Sequence, residues 1–291
     1  DGSIYGDVVT YTMVNDAVAL QAMRNDLAGN YAVGRDIDLG SIANWQPVGD
    51  GSRDENNEVR SFKGKFDGLG HTLSNLTINR GGEDYVGLFG YVEGSNIRDV
   101  GLEGVSVSGG SSVGGLVGEH WNGGIRNAHV TGSVSGTDNV GGLVGRGYAT
   151  IRNVYADASV SGANKVGGLV GEGRNISIAY ASGNVSGTSR VGGLVGESKG
   201  DLSNVYATGS VSGNEYVGGL VGSVPYSTSK ITYAYASGRV TGTSNVGGLV
   251  GYKAVTSIGG GSLNTIFYSF WDTETTGQAS SAGGTGKTTA Q

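Results

Sequence analysis

Hydrophobic residues in this chain recur in one short pattern that the sequence repeats seven times. A variant, Val-Gly-Leu-Phe-Gly, begins at Val86, and the full hexapeptide Val-Gly-Gly-Leu-Val-Gly begins at Val113, Val140, Val166, Val191, Val217 and Val246. Successive copies start 25 to 29 residues apart. A period of this length, repeated in order along a chain, predicts a solenoid in which each copy forms one coil.

A second segment lies between successive hexapeptides, and its apolar and polar residues alternate. In the copy at residues 151–162 the apolar parity is Val154, Ala156, Ala158 and Val160, and the other parity is Tyr155, Asp157, Ser159 and Ser161. This alternation predicts a strand with one buried face. Because one strand cannot bury its apolar face alone, we expect the copies to stack about 4.8 Å apart as parallel strands over a continuous core.

The composition agrees with an all-β fold. The chain has 58 glycines and 2 prolines, and 37% of its 291 residues are hydrophobic, which is too apolar for a disordered glycine-rich linker. Inside the repeats, no window without glycine is long enough for the helices of a helical solenoid. The hexapeptide glycines are expected to permit positive φ at corners and close stacking of the backbone. Since there is no cysteine, stacked hydrogen bonds and the core must supply the stability.

The two ends differ from the repeats and are expected to cap the solenoid. Residues 15–27 have apolar side chains at helical spacing, which predicts one helix that covers the first coil. We divide the chain into a cap helix with irregular first coils at 1–80, repeat coils at 81–258, and a last strand with a C-terminal tail at 259–291. The tail, rich in Ser, Thr and Gly, is expected to be poorly ordered or to lead to a further domain.

The charge pattern and the hydropathy of the chain each argue against one class of partner. The net charge is −6, and the lysines and arginines are scattered singly, so we predict no nucleic-acid binding. No stretch approaches the roughly 18 apolar residues that a membrane span requires, so we predict no membrane insertion.

No catalytic constellation is visible, and we predict no catalytic residue, metal site or cofactor. None of the 3 histidines lies in the His-Glu-x-x-His pattern of a zinc peptidase. The pairs Asp36 with Asp38 and Asp272 with Glu274 could each form a carboxylate couple or a cation site. Solvated charges on a strand face are the simpler interpretation.

One row of aromatic residues is the leading candidate for ligand binding. The fifth position of the alternating segment is occupied by His129, Tyr155, Tyr180, Tyr206 and Tyr235, and it continues to Phe267 or Tyr268 depending on the register. With the apolar parity inward, these rings point outward and offer a flat surface to a sugar or a protein. The alternative is that stacked rings only stabilise neighbouring coils. Trp121, in an insertion, is a second candidate for either role.

The hexapeptides resemble the GLUG motif of large bacterial surface proteins, such as filamentous-haemagglutinin-like adhesins and IgA1-protease-like metallopeptidases. The segment Phe66-Asp67-Gly68-Leu69-Gly70-His71-Thr72 and the ending Phe270-Trp271-Asp272-Thr273-Glu274-Thr275 are also similar to that family. The resemblance implies a right-handed parallel β-helix, a secreted or cell-surface bacterial location, and flanking domains of a larger parent protein.

The predicted function is therefore a non-enzymatic adhesin segment. Its expected partner is a glycan or protein on a host or neighbouring cell surface. Two alternatives remain open at this point, a carbohydrate-active enzyme on the same fold and a structural spacer without a ligand.

Overall fold

A computed structural model describes residues 9–255, 257–258, 261–262 and 265–291. Strands of successive coils pair in parallel register and form three long sheets around one hydrophobic core. The predicted all-β, parallel solenoid is confirmed. A short antiparallel pair, Ser257–Ile258 with Gly261–Ser262, lies beside the last coil in sequence.

The largest sheet, called sheet I, contains the alternating segments. Its 18 strands are Thr12–Val14, Tyr31–Val33, Ile37–Asp38, Phe66–Asp67, Thr72–Ser74, Thr77–Asn79, Asn96–Ser108, Gly124–Ser135, Thr150–Ser161, Ile176–Ala181, Val185–Ser186, Leu202–Ala207, Val211–Ser212, Ile231–Ala236, Val240–Thr241, Ile266–Phe267, Phe270–Asp272 and Thr285–Lys287. Between 150 and 161 the side chains alternate as predicted, with Val154 and Ala156 buried and Asp157 exposed.

Two narrower sheets contain the halves of the hexapeptide. Sheet II consists of Ser111–Gly114, Asp138–Gly141, Asn164–Gly167, Ser189–Gly192, Glu215–Gly218 and Ser244–Gly247. Sheet III consists of Phe89–Glu93, Val117–Trp121, Val144–Gly147, Val170–Gly173, Val195–Ser198, Val221–Val224 and Val250–Lys253. Each coil runs from sheet II through sheet III to sheet I.

The hexapeptide forms the corner between sheets II and III. Its first valine and glycine end a sheet II strand, and its second valine and last glycine begin a sheet III strand. In the copy from Val140, the side chains of Val140, Leu143 and Val144 are fully buried. The backbone N–H of Leu143 donates to the carbonyl of Leu169 at 2.9 Å, so the stacking continues through the corner. These valines and leucines therefore form a continuous core along the axis.

Close approach of neighbouring coils explains the hexapeptide glycines. A Cβ on Gly142 would lie against the carbonyl oxygen of Gly168, and one on Gly168 against that of Gly193, both far inside van der Waals distance. The expectation of positive φ at these glycines is wrong, because the left-handed residue is the one before the hexapeptide. Its φ is 51° at Asn139 and 55° at Lys165. The left-handed residue therefore lies within the sheet II strand, before the corner, and it carries a side chain.

The N-terminal cap contains a helix shorter than the predicted 15–27. Helix α1 spans Ala17–Ala22 and continues as a 3-10 turn at Met23–Asn25. Asp16 caps it by accepting a hydrogen bond from the backbone N–H of Ala19 at 2.8 Å. The carboxylate of Asp26 accepts hydrogen bonds from the backbone N–H groups of residues 28 and 29. This turn replaces the last turn of the predicted helix. Leu20 is buried against the core, so the helix covers the first coil.

The C-terminal tail, residues 275–291, is ordered, so the expectation of poor order is wrong. Helix α2 spans Thr273–Thr276, and the strand Thr285–Lys287 pairs with Phe270–Asp272. The hydroxyl of Ser281 accepts from the backbone N–H of Val250 at 2.8 Å. The tail thus supplies hydrogen-bond partners to the last repeat coil. Neither helix among the described residues has the length and apolar character needed to cross a bilayer.

Candidate functional site

The predicted aromatic row exists on the outer face of sheet I. His129, Tyr155, Tyr180 and Tyr206 occupy one backbone register in successive coils. Their ring centroids are 4.7 to 4.8 Å apart and the ring planes differ by 2° to 4°. Tyr235 lies in the same register one coil further. The predicted side-chain parity and spacing are therefore correct, whereas ligand binding by these residues stays a prediction.

The row ends differently from the prediction. Tyr235 pairs with Phe270, and neither Phe267 nor Tyr268 continues the row. The buried pair Ile231 and Ile266 sets the offset between these two coils, and Phe267 therefore lies opposite residue 232. Tyr268 instead stacks on Tyr233, with centroids 5.2 Å apart.

Stacking changes which part of the rings a ligand can reach. Tyr155 and Tyr180 each have a parallel ring on both sides. A separation of 4.8 Å leaves no room for a sugar ring between them, so the exposed parts are ring edges and hydroxyl groups. Partial burial raises the pKa of the Tyr180 hydroxyl, and the neighbouring Tyr155 and Tyr206 raise it further. The phenol therefore stays neutral and can both donate and accept hydrogen bonds at ordinary pH.

A groove runs beside the aromatic row across four coils. One wall is the row from His129 to Tyr206, and the opposite wall consists of Asn127, Asn153, Ile178 and Asn204. All four opposite residues have φ near +50°. The Asn153 amide donates to the Asn127 side-chain oxygen at 2.7 Å, so the amides form part of a ladder. Small apolar side chains form the floor, and the groove has a volume of about 270 Å³.

Trp121 is not part of this groove. It ends a sheet III strand, on a different side of the solenoid. Its indole N–H donates to Glu119 at 2.5 Å, and its ring lies 4.5 Å from that of Tyr148. The guanidinium of Arg146 lies over it, 5.8 Å from the ring centre. Trp121 therefore packs within a charged cluster that sequence reasoning missed.

This cluster, called the ionic strip, joins side chains on and beside the sheet III strands to Lys165 and Arg190 of two sheet II strands. Its members are Glu119, Arg146, Lys165, Glu172, Arg190, Glu197 and Lys199. The column Glu119, Arg146, Glu172 and Glu197 lies in one backbone register through four coils. Each of these is the residue that directly follows a hexapeptide. The recurrence of charge at that position is the signal that could have revealed the strip.

Glu172 is the most enclosed carboxylate of the ionic strip, with 1% of its side chain exposed. It accepts hydrogen bonds from Lys165 and Tyr148, and from Lys199 at 2.7 Å. Burial by itself would raise the pKa of Glu172, but these hydrogen bonds outweigh burial and lower the pKa to about 2. The carboxylate is therefore ionised at any ordinary pH.

The other carboxylates of the strip are bridged in the same way. Glu197 contacts Arg190 at 3.1 Å, and Lys165 and Lys199 at 3.5 Å each. Arg146 lies 3.6 Å from Glu119 and 3.4 Å from Glu172, which joins three successive coils. The strip is thus one connected network that crosses the coil boundaries.

The two acidic pairs have structural partners. Asp36 accepts from the backbone of residue 72 at 2.9 Å and lies 3.1 Å from His71, while Asp38 accepts from the Asn75 amide at 3.0 Å. Asp272 caps helix α2. In the described part of the chain, no group of three or more His, Cys, Asp or Glu residues could hold a metal ion.

Comparison with solved structures identifies similar folds. A protein of Bacteroides ovatus, provisionally described as an immunoglobulin A1 protease, superposes with a TM-score of 0.67 at 23% identity, over 97% of this chain and 86% of that one. A second structure, named IgA1 Protease, gives a TM-score of 0.60 at 19% identity, over 89% of this chain and 21% of that one. At these identities the likeness establishes the fold alone.

Two curated proteins are similar in sequence over part of the chain. Halomucin of Haloquadratum walsbyi is 35% identical over 133 residues, 42% of this chain. A protein of Evansella cellulosilytica, provisionally described as a Gly-rich membrane protein, is 32% identical over 120 residues, 38% of this chain. The chain matches 1% and 13% of the lengths of these two relatives.

The family profile for the GLUG motif matches four segments, at residues 109–135, 136–161, 187–212 and 213–241. Each matched segment contains one strand of sheet II, one of sheet III and the following strand or strands of sheet I. The matched segments therefore coincide with single coils. This chain therefore contains GLUG-motif repeats, and they are coils of a parallel β-solenoid.

Proposed function

We propose that this chain is a non-enzymatic segment of a secreted or cell-surface bacterial protein, and that it attaches to glycans through the groove on sheet I. The surface location is supported by the names of its relatives, a halomucin and a Gly-rich membrane protein. The non-enzymatic role is supported by the acidic pairs, whose oxygens are engaged in a helix cap and in hydrogen bonds between coils.

The observation that carries the binding proposal is the groove between the aromatic row and the opposite wall. Its surface is mainly apolar, and phenol and amide groups provide the polar contacts. Ligand sites commonly combine an apolar surface with a few polar groups that orient the ligand. A linear glycan laid along the solenoid axis would meet the same contacts once per coil. Its apolar ring faces would lie on the floor, and its hydroxyl groups would meet the groove walls.

The test is binding of the protein to an array of neutral polysaccharides, with variants of one tyrosine. Tyr180→Phe keeps the ring stack and removes the central hydroxyl, and Tyr180→Ala also removes a wall. We expect both to weaken binding, Tyr180→Ala by about tenfold, which corresponds to about 1.4 kcal/mol. Tyr226→Ala is the matched control, because Tyr226 is an exposed tyrosine outside the groove.

The outcomes separate the proposal from its alternatives. Binding that is unchanged in both Tyr180 variants would remove the groove as the site. Shortening of the polysaccharide during incubation would instead reveal a carbohydrate-active enzyme. Absence of binding to every glycan would favour a spacer.

A further inference from the structure

The ionic strip has more positive than negative charge at its surface. With Arg174, which adjoins it, five cations accompany three carboxylates, so the local charge is +2 in a chain whose net charge is −6. The other four cations are Arg146, Lys165, Arg190 and Lys199. The three carboxylates are Glu119, Glu172 and Glu197. Within this set the cations exceed the carboxylates by two, and Glu215, which acts on Tyr216 together with Arg190, lies outside the set.

The charges are arranged in two layers. The carboxylates form the inner layer, since Glu119, Glu172 and Glu197 are 3%, 1% and 7% exposed. The cations form the outer layer, and 18% to 34% of each side chain of Arg146, Lys165, Arg190 and Lys199 is exposed. The buried carboxylates thus fix the position of the cations while part of each cation faces solvent.

The outer layer retains hydrogen-bond donors. Lys165 and Lys199 each contact two carboxylates, and an ammonium group has three donors. Arg190 uses its Nε towards Glu197 and one terminal nitrogen towards Asn164, and no hydrogen bond or ion pair among the described residues uses its second terminal nitrogen. Fixed donors of this kind lose little entropy when they bind an anion.

Arg174 is the most available cation. It is exposed and lies over the ring of Tyr148, with its guanidinium carbon 4.8 Å from the ring centre. Among the residues that the structure describes, it has no carboxylate within 4.0 Å. Its planar fork is the geometry that binds a carboxylate through two hydrogen bonds.

We propose that the ionic strip binds an acidic polysaccharide that carries carboxylates, with Arg174 as its main contact. Cations come from successive coils, so they form a line along the axis that suits a linear polymer with regularly spaced negative charges. Trp121 lies within the same line, is partly exposed and offers apolar contact to a sugar ring. This site is separate from the groove on sheet I, and the proposal does not depend on the proposed function.

Polygalacturonate is a suitable probe, and its methyl ester is the matched neutral ligand. In calorimetry with a chelator present, we expect the acid to bind, the ester not to bind, and the affinity to fall as salt is raised. Arg174→Gln should weaken binding about tenfold, since a hydrogen bond to a charged group contributes about 1.5 kcal/mol or more. Arg239→Gln removes an exposed arginine just before the sheet I strand Val240–Thr241 and should leave binding unchanged.

Thermal unfolding distinguishes lost contact from lost structure. Arg174→Gln should melt like the parent protein, because no buried carboxylate loses its partner. Equal binding of the acid and the ester, no binding of either, or equal effects of the two arginine variants would overturn the proposal. Single-stranded DNA that binds as tightly as polygalacturonate would also overturn it in favour of a nonspecific anion surface. The Tyr180 variants should leave polygalacturonate binding unchanged.

Discussion

At the residue scale, the ionic strip consists of buried carboxylates covered by partly exposed cations. Glu172 contacts Arg146, Lys165 and Lys199, which come from three different coils. Removing one partner of a buried ion pair leaves the other partners underpaired in a poorly hydrated place. Substitution of Glu172 should therefore lower the free energy of unfolding of the whole repeat region.

Glu172→Gln should lower the free energy of unfolding by about 3 kcal/mol at pH 7, since it leaves three cations without their shared carboxylate. Urea unfolding followed by circular dichroism measures this change. Glu55→Gln, at an exposed loop position, is the control and should change stability little. A change in Glu172→Gln no larger than in the control would contradict the structural role of the network.

The effect of Glu172 should depend on pH in one direction. Its pKa in the folded protein, about 2, is below the ordinary value of 4.5. A lowered carboxylate pKa means that the stabilisation is complete above the unfolded-state pKa and is lost as pH falls towards the folded-state pKa. The stabilities of the parent and Glu172→Gln should therefore differ most above about pH 5 and converge between pH 4.5 and 2. A constant difference across this range would rule out ionised Glu172 as the cause.

At the element scale, the corner between sheets II and III is limited by the approach of neighbouring backbones. Gly142, Gly168, Gly193 and Gly219 occupy the same position, and each would place a Cβ against a carbonyl oxygen of the next coil. A side chain here would push successive coils apart. The constraint acts between coils, so it applies to every internal repeat.

Gly168→Ala should destabilise the protein by about 3 kcal/mol, because the added methyl group cannot fit without backbone displacement. Gly81→Ala is the matched control, since a Cβ at Gly81 meets nothing within 4 Å. Thermal and urea unfolding of both variants measure the difference. Equal stability of the two variants would show that the corner tolerates a wider spacing than the structure has.

At the scale of the whole molecule, each coil contacts mainly the coil before it and the coil after it. Val217 pairs with Val191 on one side and with Val246 on the other. In such a stack the stability is approximately a sum of coil and interface contributions. One complete coil can therefore be removed if the register of the others is kept.

Deletion of residues 217–245 would join residue 216 to Val246, which is the register partner of Val217. We expect a folded protein with the same circular dichroism per residue and a somewhat lower melting temperature. Deletion of residues 217–230 is the control, because it removes the sheet III strand and should disrupt the later coils. An unfolded product of the first deletion would contradict the additive description.

Local alternation and the spacing of identical positions predicted the number of repeat coils, the strand type, the side-chain parity and the stacking of equivalent positions, as for Tyr155 and Tyr180. Contacts between non-equivalent positions, and pairings beyond the regular repeats, depended on the tertiary fold. Phe270 continues the aromatic row because a buried isoleucine pair sets its register, and Glu172 gathers cations from sequence positions up to 27 residues away.

The same distinction applies to the candidate sites and to the ends. The outward position of the aromatic row and the stacking of its rings could be predicted from the repeat, but the groove beside it could not, since its opposite wall is formed by residues with positive φ. The order of the C-terminal tail was also decided by tertiary contacts, because Ser281 and the strand Thr285–Lys287 bind backbone groups of earlier segments. Local pattern specifies what each segment can become, and contacts between segments distant in sequence determine which surfaces are left for a ligand.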